Sequence, residues 1–239
     1  MNRLISIALI VCLSEFVHSQ VHSINIYSSY TAELSKRLKV TDASAVGGGV
    51  ELRMNLTGRF YLSVIGGYDL FSIQQDSALE RWNWRFWNER YKGIVKDNLN
   101  SDTSLSASLS PVQKMDGLSL MLRLSTDLQP AANVTVTLFV GGGVMFYTRR
   151  MYLIEEWQKR FSAIDYTFEY SYRNFAQNKL GNPIILNGGF GAEYQFSEIV
   201  TLNGAVQYHH VLATPGKLNY DEFPLSSMLS FHVGLRFLY

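Results

Sequence analysis

The chain has 239 residues, of which 17% are charged, and a formal net charge of +1. That balance supplies neither the basic footprint of a nucleic-acid binder nor an acidic tail. One cysteine, Cys12, is too few for a disulfide framework.

Residues 1–19 read as an export signal, with Arg3 in a short basic region and an apolar run from Leu4 to Leu13. Val17 and Ser19 then set a cut ahead of Gln20. Cys12 falls inside this segment, so the mature chain has no thiol nucleophile. A lipoprotein box is a poor match, because Val11 stands where a small residue is expected. No later apolar run approaches the roughly 18 residues of a membrane-spanning helix.

After the signal the dominant pattern has a period of two, the mark of strands with one apolar face. The first strand, His22 to Leu34, alternates Ile24, Ile26, Tyr30 and Leu34 with Ser23, Asn25, Tyr27 and Thr31. From Val46 to Leu56 the even positions are apolar or glycine, whereas Glu51, Arg53 and Asn55 occupy the other face. Further copies run from Phe60 to Leu70, Leu118 to Leu128, Val134 to Arg149, Ile184 to Phe196, Val200 to Leu212 and Leu225 to Tyr239. Eight strands result. Short turns near Thr57 and Gly58, at Gln129 to Asn133, and at Ser197 and Glu198 alternate with longer connections at Ser35 to Ala45, Ile73 to Asp116, Arg150 to Pro183 and Ala213 to Pro224. Residues 20–239 therefore read as one all-β domain: a closed antiparallel eight-stranded transmembrane β-barrel, its long outer loops at about 73–116 and 150–183. Strands of twelve or more residues exceed the roughly 9–11 that cross a bilayer, so several are expected to project outward.

The polar faces place Glu51, Arg53, Arg59, Asp69, Arg123, Asp127, Glu193, His209, His232 and Arg236 in the lumen. Eight strands leave room for side chains only, and facing acids and bases there predict a salt-bridged plug. Inward glycines such as Gly49 and Gly67 would relieve crowding beside large lumen residues.

The second loop carries three of the four tryptophans, Trp82, Trp84 and Trp87, together with Phe86 and Tyr91 and interleaved Arg81, Arg85, Arg90 and Lys92. Leu79, Trp82, Phe86, Tyr91, Ile94 and Val95 share a helical stripe, which predicts a short amphipathic helix. The third loop adds Trp157, Tyr170 and Tyr172, and alternation from Tyr166 to Arg173 suggests a hairpin rising above the membrane. These aromatic loops read either as a lid on the barrel mouth or as a platform for an outer-membrane protein partner or surface glycan.

The last strand ends the chain with Phe231, Val233, Leu235, Phe237 and Tyr239 on one face. An exported start, eight alternating strands, short and long connections in turn and this aromatic end together resemble the small outer-membrane β-barrel family of OmpX-like and OmpA-barrel proteins. The resemblance implies residence in bacterial outer-membrane lipid as a monomer and delivery by the barrel-assembly machinery, with Phe231, Val233, Leu235, Phe237 and Tyr239 as the assembly signal. The second and third loops are longer than in the simplest members, and nothing after the barrel resembles a peptidoglycan-binding domain.

The expected role is non-enzymatic, with no cofactor and no metal. His209 and His210 are adjacent on one strand and point to opposite faces, so they cannot share a metal or a proton. A lipid-modifying enzyme would require His210, Asp221 and Ser226 to converge at the outer rim. A narrow channel would require a hydrated path past Arg53, Arg123, Glu193 and Arg236.

Overall fold

The computed structural model describes residues 21–212 and 223–239. The export signal, its cleavage site and Asp221 lie outside them. The strands are β1 (Val21–Lys36), β2 (Asp42–Thr57), β3 (Phe60–Gln74), β4 (Leu105–Ala131), β5 (Val134–Phe161), β6 (Tyr166–Phe175), β7 (Lys179–Gly181), β8 (Ile184–Gln195), β9 (Val200–Val211) and β10 (Leu225–Leu238). Hydrogen bonding runs β4-β3-β2-β1-β10-β9-β8-β5, and β5 pairs back onto β4. Every pairing is antiparallel, so eight strands close a barrel, and β6 and β7 are attached to β5 alone.

Closure follows from the two-residue alternation. Leu120, Leu122 and Leu124 on β4, Val140 on β5, Leu186 on β8 and Val233 on β10 all point outward and are exposed. Arg53, Arg123, Gln207 and Arg236 point inward and are buried. Such an inverted distribution is unfavourable in water and favourable with lipid on the outside. The β2–β3 turn needs only Gly58 and Arg59, with Gly58 at a φ of 56° that a side chain would strain. Inside, Gly49 and Gly67 flank Tyr27; a Cβ at Gly49 would lie 2.6 Å from its hydroxyl, and one at Gly67 3.1 Å. These glycines do make room for a large lumen residue.

Three expectations change. The β1–β2 connection shrinks to residues 37–41, because both strands run further than their apolar alternation shows. The second loop shrinks to residues 75–104 and the third starts only after Phe161, because β4 and β5 stay paired far beyond the bilayer, to Leu105 and Lys159. At 27 and 28 residues these strands are well over twice the about 9–11 needed to span.

The predicted single helix is also broken. Helix α1 (Ala78–Arg81) stops before Asn83, whose φ of 58° is left-handed, and a π-helical turn (Trp87–Tyr91) leads into α2 (Lys92–Ser101). A π turn advances the chain by an extra residue and rotates the following faces. The expected stripe therefore fails at Phe86 and Ile94, which are exposed, and the buried set is Ala78, Leu79, Trp82, Trp84, Trp87 and Val95.

Candidate functional site

Seen from the short-turn end, the lumen opens as a vestibule of about 610 Å³ lined by His22, Arg59, Gln129 and Gln195, with Arg53, Asp127, Glu193 and Arg236 among its wall residues. Here the predicted charge network assembles. Arg53 pairs with Asp127 at 2.6 Å and Glu193 at 3.7 Å, and Arg236 pairs with Glu193 and, at 3.2 Å, with Glu51. Glu51 also meets Arg123 at 3.6 Å. The arginines are further held by neutral partners: Arg123 donates to Gln207 at 2.7 Å and lies 4.1 Å over the Phe139 ring, and Arg53 lies 3.7 Å over Tyr61. Three buried cations and their acids thus cross-tie β2, β4, β8 and β10, satisfying charges that would be costly alone.

Above the network Tyr27 stacks on His232, with ring centroids 4.4 Å apart, and the two inner cavities there are only about 30 Å³ each. Each is of the size of a single water. Higher still, the lumen turns apolar, with Ala45, Phe71, Ile73, Met115, Met145, Tyr147, Ile185, Val211, Phe223 and Met228 packed together. The predicted salt-bridged plug thus occupies one part of the lumen, and an apolar plug fills the rest. Alternation distinguishes inside from outside and carries no signal for which inward residues meet one another, so this apolar plug was not visible. The charges that a channel would use therefore lie beneath an apolar block. Planar-bilayer recordings are expected to show no unitary conductance for the wild type or for Arg123→Ala; steady openings in either would contradict a filled lumen.

Beyond the barrel mouth, β4, β5 and β6 form a raised sheet on whose inner face the helical segment packs. Its core contains Trp82, Trp84, Trp87, Val95, Met151, Leu153 and Trp157. The eight aromatic residues expected to contact a partner thus divide. Trp82, Trp84, Trp87 and Trp157 are buried, Tyr91 is half-buried, and Phe86, Tyr170 and Tyr172 are exposed. The buried four are occupied with one another because helix and hairpin each have an apolar face that only the other covers. The two long loops accordingly form one folded ectodomain.

Glu155 sits at its centre and is fully buried. Its carboxylate accepts hydrogen bonds from the Tyr91 hydroxyl at 2.9 Å, from Trp157 Nε1 at 2.9 Å and from Asn174 Nδ2. Tyr91 in turn meets the Tyr172 hydroxyl. Burial, aided by the Tyr172 and Glu155 contacts, pushes the Tyr91 hydroxyl above the usual phenol range, and burial does the same for Tyr172. At the far end of α2, Ser104 donates to Asp102, which together with Lys159 holds that carboxyl down at about 2. Sequence gave no signal for Glu155, which occupies an ordinary inward position of a strand.

Of the rim constellation, only His210 and Ser226 fall among the described residues. His210 points outward with its ring parallel to Tyr208 at 6.5 Å, and Ser226 hydrogen-bonds Ser35. Among the described residues no group of three or more His, Cys, Asp or Glu side chains is placed to hold a metal. Phe231, Val233, Leu235 and Phe237 lie exposed on the lipid-facing side of β10, and Tyr239 follows at the chain end.

A closed antiparallel ring with an apolar belt, a packed charged lumen and short turns at one end defines a transmembrane β-barrel of the outer-membrane type. Solved structures with a similar strand arrangement include Neisserial surface protein A, at 10% identity over 91% of this chain and 96% of that one, with a TM-score of 0.41. The attachment invasion locus protein of Yersinia pestis aligns at 9% identity over 92% and 99%, TM-score 0.41. The outer membrane protease OmpT of Escherichia coli aligns at 9% over 92% and 95%, TM-score 0.32. No protein-family model matches the chain, and no curated protein matches it in sequence.

Proposed function

We propose that the protein is a non-enzymatic recognition barrel of the bacterial outer membrane, whose raised ectodomain presents an aromatic surface to a partner outside the cell. The observation that carries this reading is the row Tyr166, Phe168, Tyr170 and Tyr172, between 36% and 52% exposed on one face of β6. Large amphipathic rings on a strand offer contact area at little conformational cost. A packed core of four tryptophans beside it, on the same face of the sheet, holds the hairpin, so the surface is preorganised. The closed lumen serves as an anchor, and the aromatic end of β10 supplies the signal for the barrel-assembly machinery.

Crosslinked pull-down from intact cells tests this with the full-length protein and a variant carrying Phe168→Ser and Tyr170→Ser. Both side chains are exposed, so heat-modifiable folded barrel is expected in equal amounts. The wild type is expected to capture a surface partner that the variant loses. Equal capture by both, or capture by neither, would overturn the reading.

A further inference from the structure

Strand β6 is the end of the sheet. It pairs with β5 from Tyr152↔Phe175 to Phe161↔Tyr166, and among the described residues no strand pairs with its other edge. All of its residues except Asn174 are exposed. An edge of this length with a row of aromatics is a template for a further strand unless something blunts it. Its two faces differ in kind. Tyr166, Phe168, Tyr170 and Tyr172 share the face of Trp157, with the Trp157 and Tyr170 rings 6.3 Å apart and nearly parallel. The opposite face carries Thr167, Glu169, Ser171 and Arg173.

Resting on the recognition reading above, we propose that the partner of this edge is β6 of a second copy, paired antiparallel about Ser171. Directly opposed residues point to the same side of a sheet, so only registers that set aromatic against aromatic keep the two faces distinct. Two such registers lie near the middle of the strand. Centred on Tyr170, Glu169 faces Ser171 and Arg173 faces Thr167, leaving the charges unmatched. Centred on Ser171, Glu169 of each copy faces Arg173 of the other, and Tyr170 faces Tyr172. Charge complementarity selects the second. A parallel pair would set Glu169 beside Glu169 and Arg173 beside Arg173, which repels.

The antiparallel choice has a geometric consequence. β5 climbs out of its barrel and β6 returns alongside it, so β6 is carried on the continuation of the barrel wall. Two copies in one membrane, related by an axis along the membrane normal, would bring these strands together parallel. Antiparallel pairing sets the barrels mouth to mouth, in two facing membranes. Each copy remains a monomer in its own membrane, and many weak pairs between two surfaces add through multivalency.

The test uses full-length protein in phosphatidylcholine vesicles and light scattering as the readout of clustering. Wild-type vesicles are expected to cluster, and vesicles carrying only Glu169→Arg or only Arg173→Glu are expected to stay dispersed. Mixing those two populations is expected to restore clustering, since each then opposes the charges of the other, and the double variant E169R/R173E is expected to cluster with itself. Heat-modifiable mobility confirms folding in every sample. Absence of wild-type clustering, clustering indifferent to both reversals, or failure of the mixture would overturn the pairing. If the cell-surface capture still depends on Phe168 and Tyr170 in that event, the recognition reading stands with a different partner.

Discussion

Replacing Glu51 by glutamine is expected to destabilise the barrel by about 3–5 kcal/mol, the usual cost of removing one partner from a buried ion pair. Glu51 is 4% exposed, and it is the carboxylate that faces both Arg123 and Arg236. Without its charge Arg236 keeps Glu193, but Arg123 is left with the neutral Gln207 and the Phe139 ring. A guanidinium does not lose its proton to escape such a site, so the whole penalty falls on folding. Glu193→Gln is the informative contrast. There Arg53 keeps Asp127 and Arg236 keeps Glu51, so each cation retains an acid and the loss should be distinctly smaller. Urea titration in lipid vesicles, scored by the heat-modifiable gel shift, measures both. Tryptophan emission would not serve for this, because all four tryptophans lie in the ectodomain. Equal midpoints for the two variants would mean that the network acts as one diffuse charge cluster without the individual pairings.

The barrel was legible in the sequence because lipid and lumen impose opposite chemistry on alternate residues, and that constraint holds along every strand. The charge network followed from the same rule, since Glu51, Arg53, Arg123 and Arg236 are costly inside unless they meet. What escaped has a specific cause on β5. Within the membrane its outward face is apolar at Leu138, Val140, Val144 and Phe146; beyond it Arg150, Glu156 and Gln158 enter that face, while Met151, Leu153 and Trp157 are buried on the inward one. The unbroken apolar run of the outward face ends close to the Arg150–Asp116 ion pair. A search for one unbroken alternation therefore ends the strand there and assigns the rest to a loop. For Trp82, Trp84, Trp87 and Trp157 the choice between lid and platform stays open in the sequence for the same reason, because the sheet they pack with lies past that break. In the helical segment the left-handed Asn83 and the π turn shift the buried face by steps that a fixed 3.6-residue period cannot follow.

The ectodomain should prove separable from the barrel, and Glu155 is where that separation is most easily seen. Glu155→Ala is expected to cost the ectodomain about 3 kcal/mol or more, since it strands several donors at once and each buried orphan costs about 1–3 kcal/mol. Those donors come from three places: Tyr91 ahead of α2, Trp157 on β5 and Asn174 on β6. One carboxylate thus joins the helical segment to both strands of the hairpin. Among the described residues no cation pairs with it, so its charge is held by neutral dipoles, and removing it also relieves a desolvation cost. Glu155→Met sets the balance of these two terms apart from the cavity that alanine leaves: it keeps the bulk, removes the charge and leaves the donors unmet. If the donors dominate, both variants lower the urea midpoint of tryptophan emission and raise amide exchange at Val95 and Trp157, and the heat-modifiable barrel persists unchanged. If Glu155→Met matches the wild type, charge burial offsets the hydrogen bonds and packing alone holds the ectodomain together. Loss of barrel and ectodomain at a common midpoint would instead make the raised sheet part of one cooperative unit with the membrane strands, whose continuity through β4 and β5 gives that outcome a definite structural route.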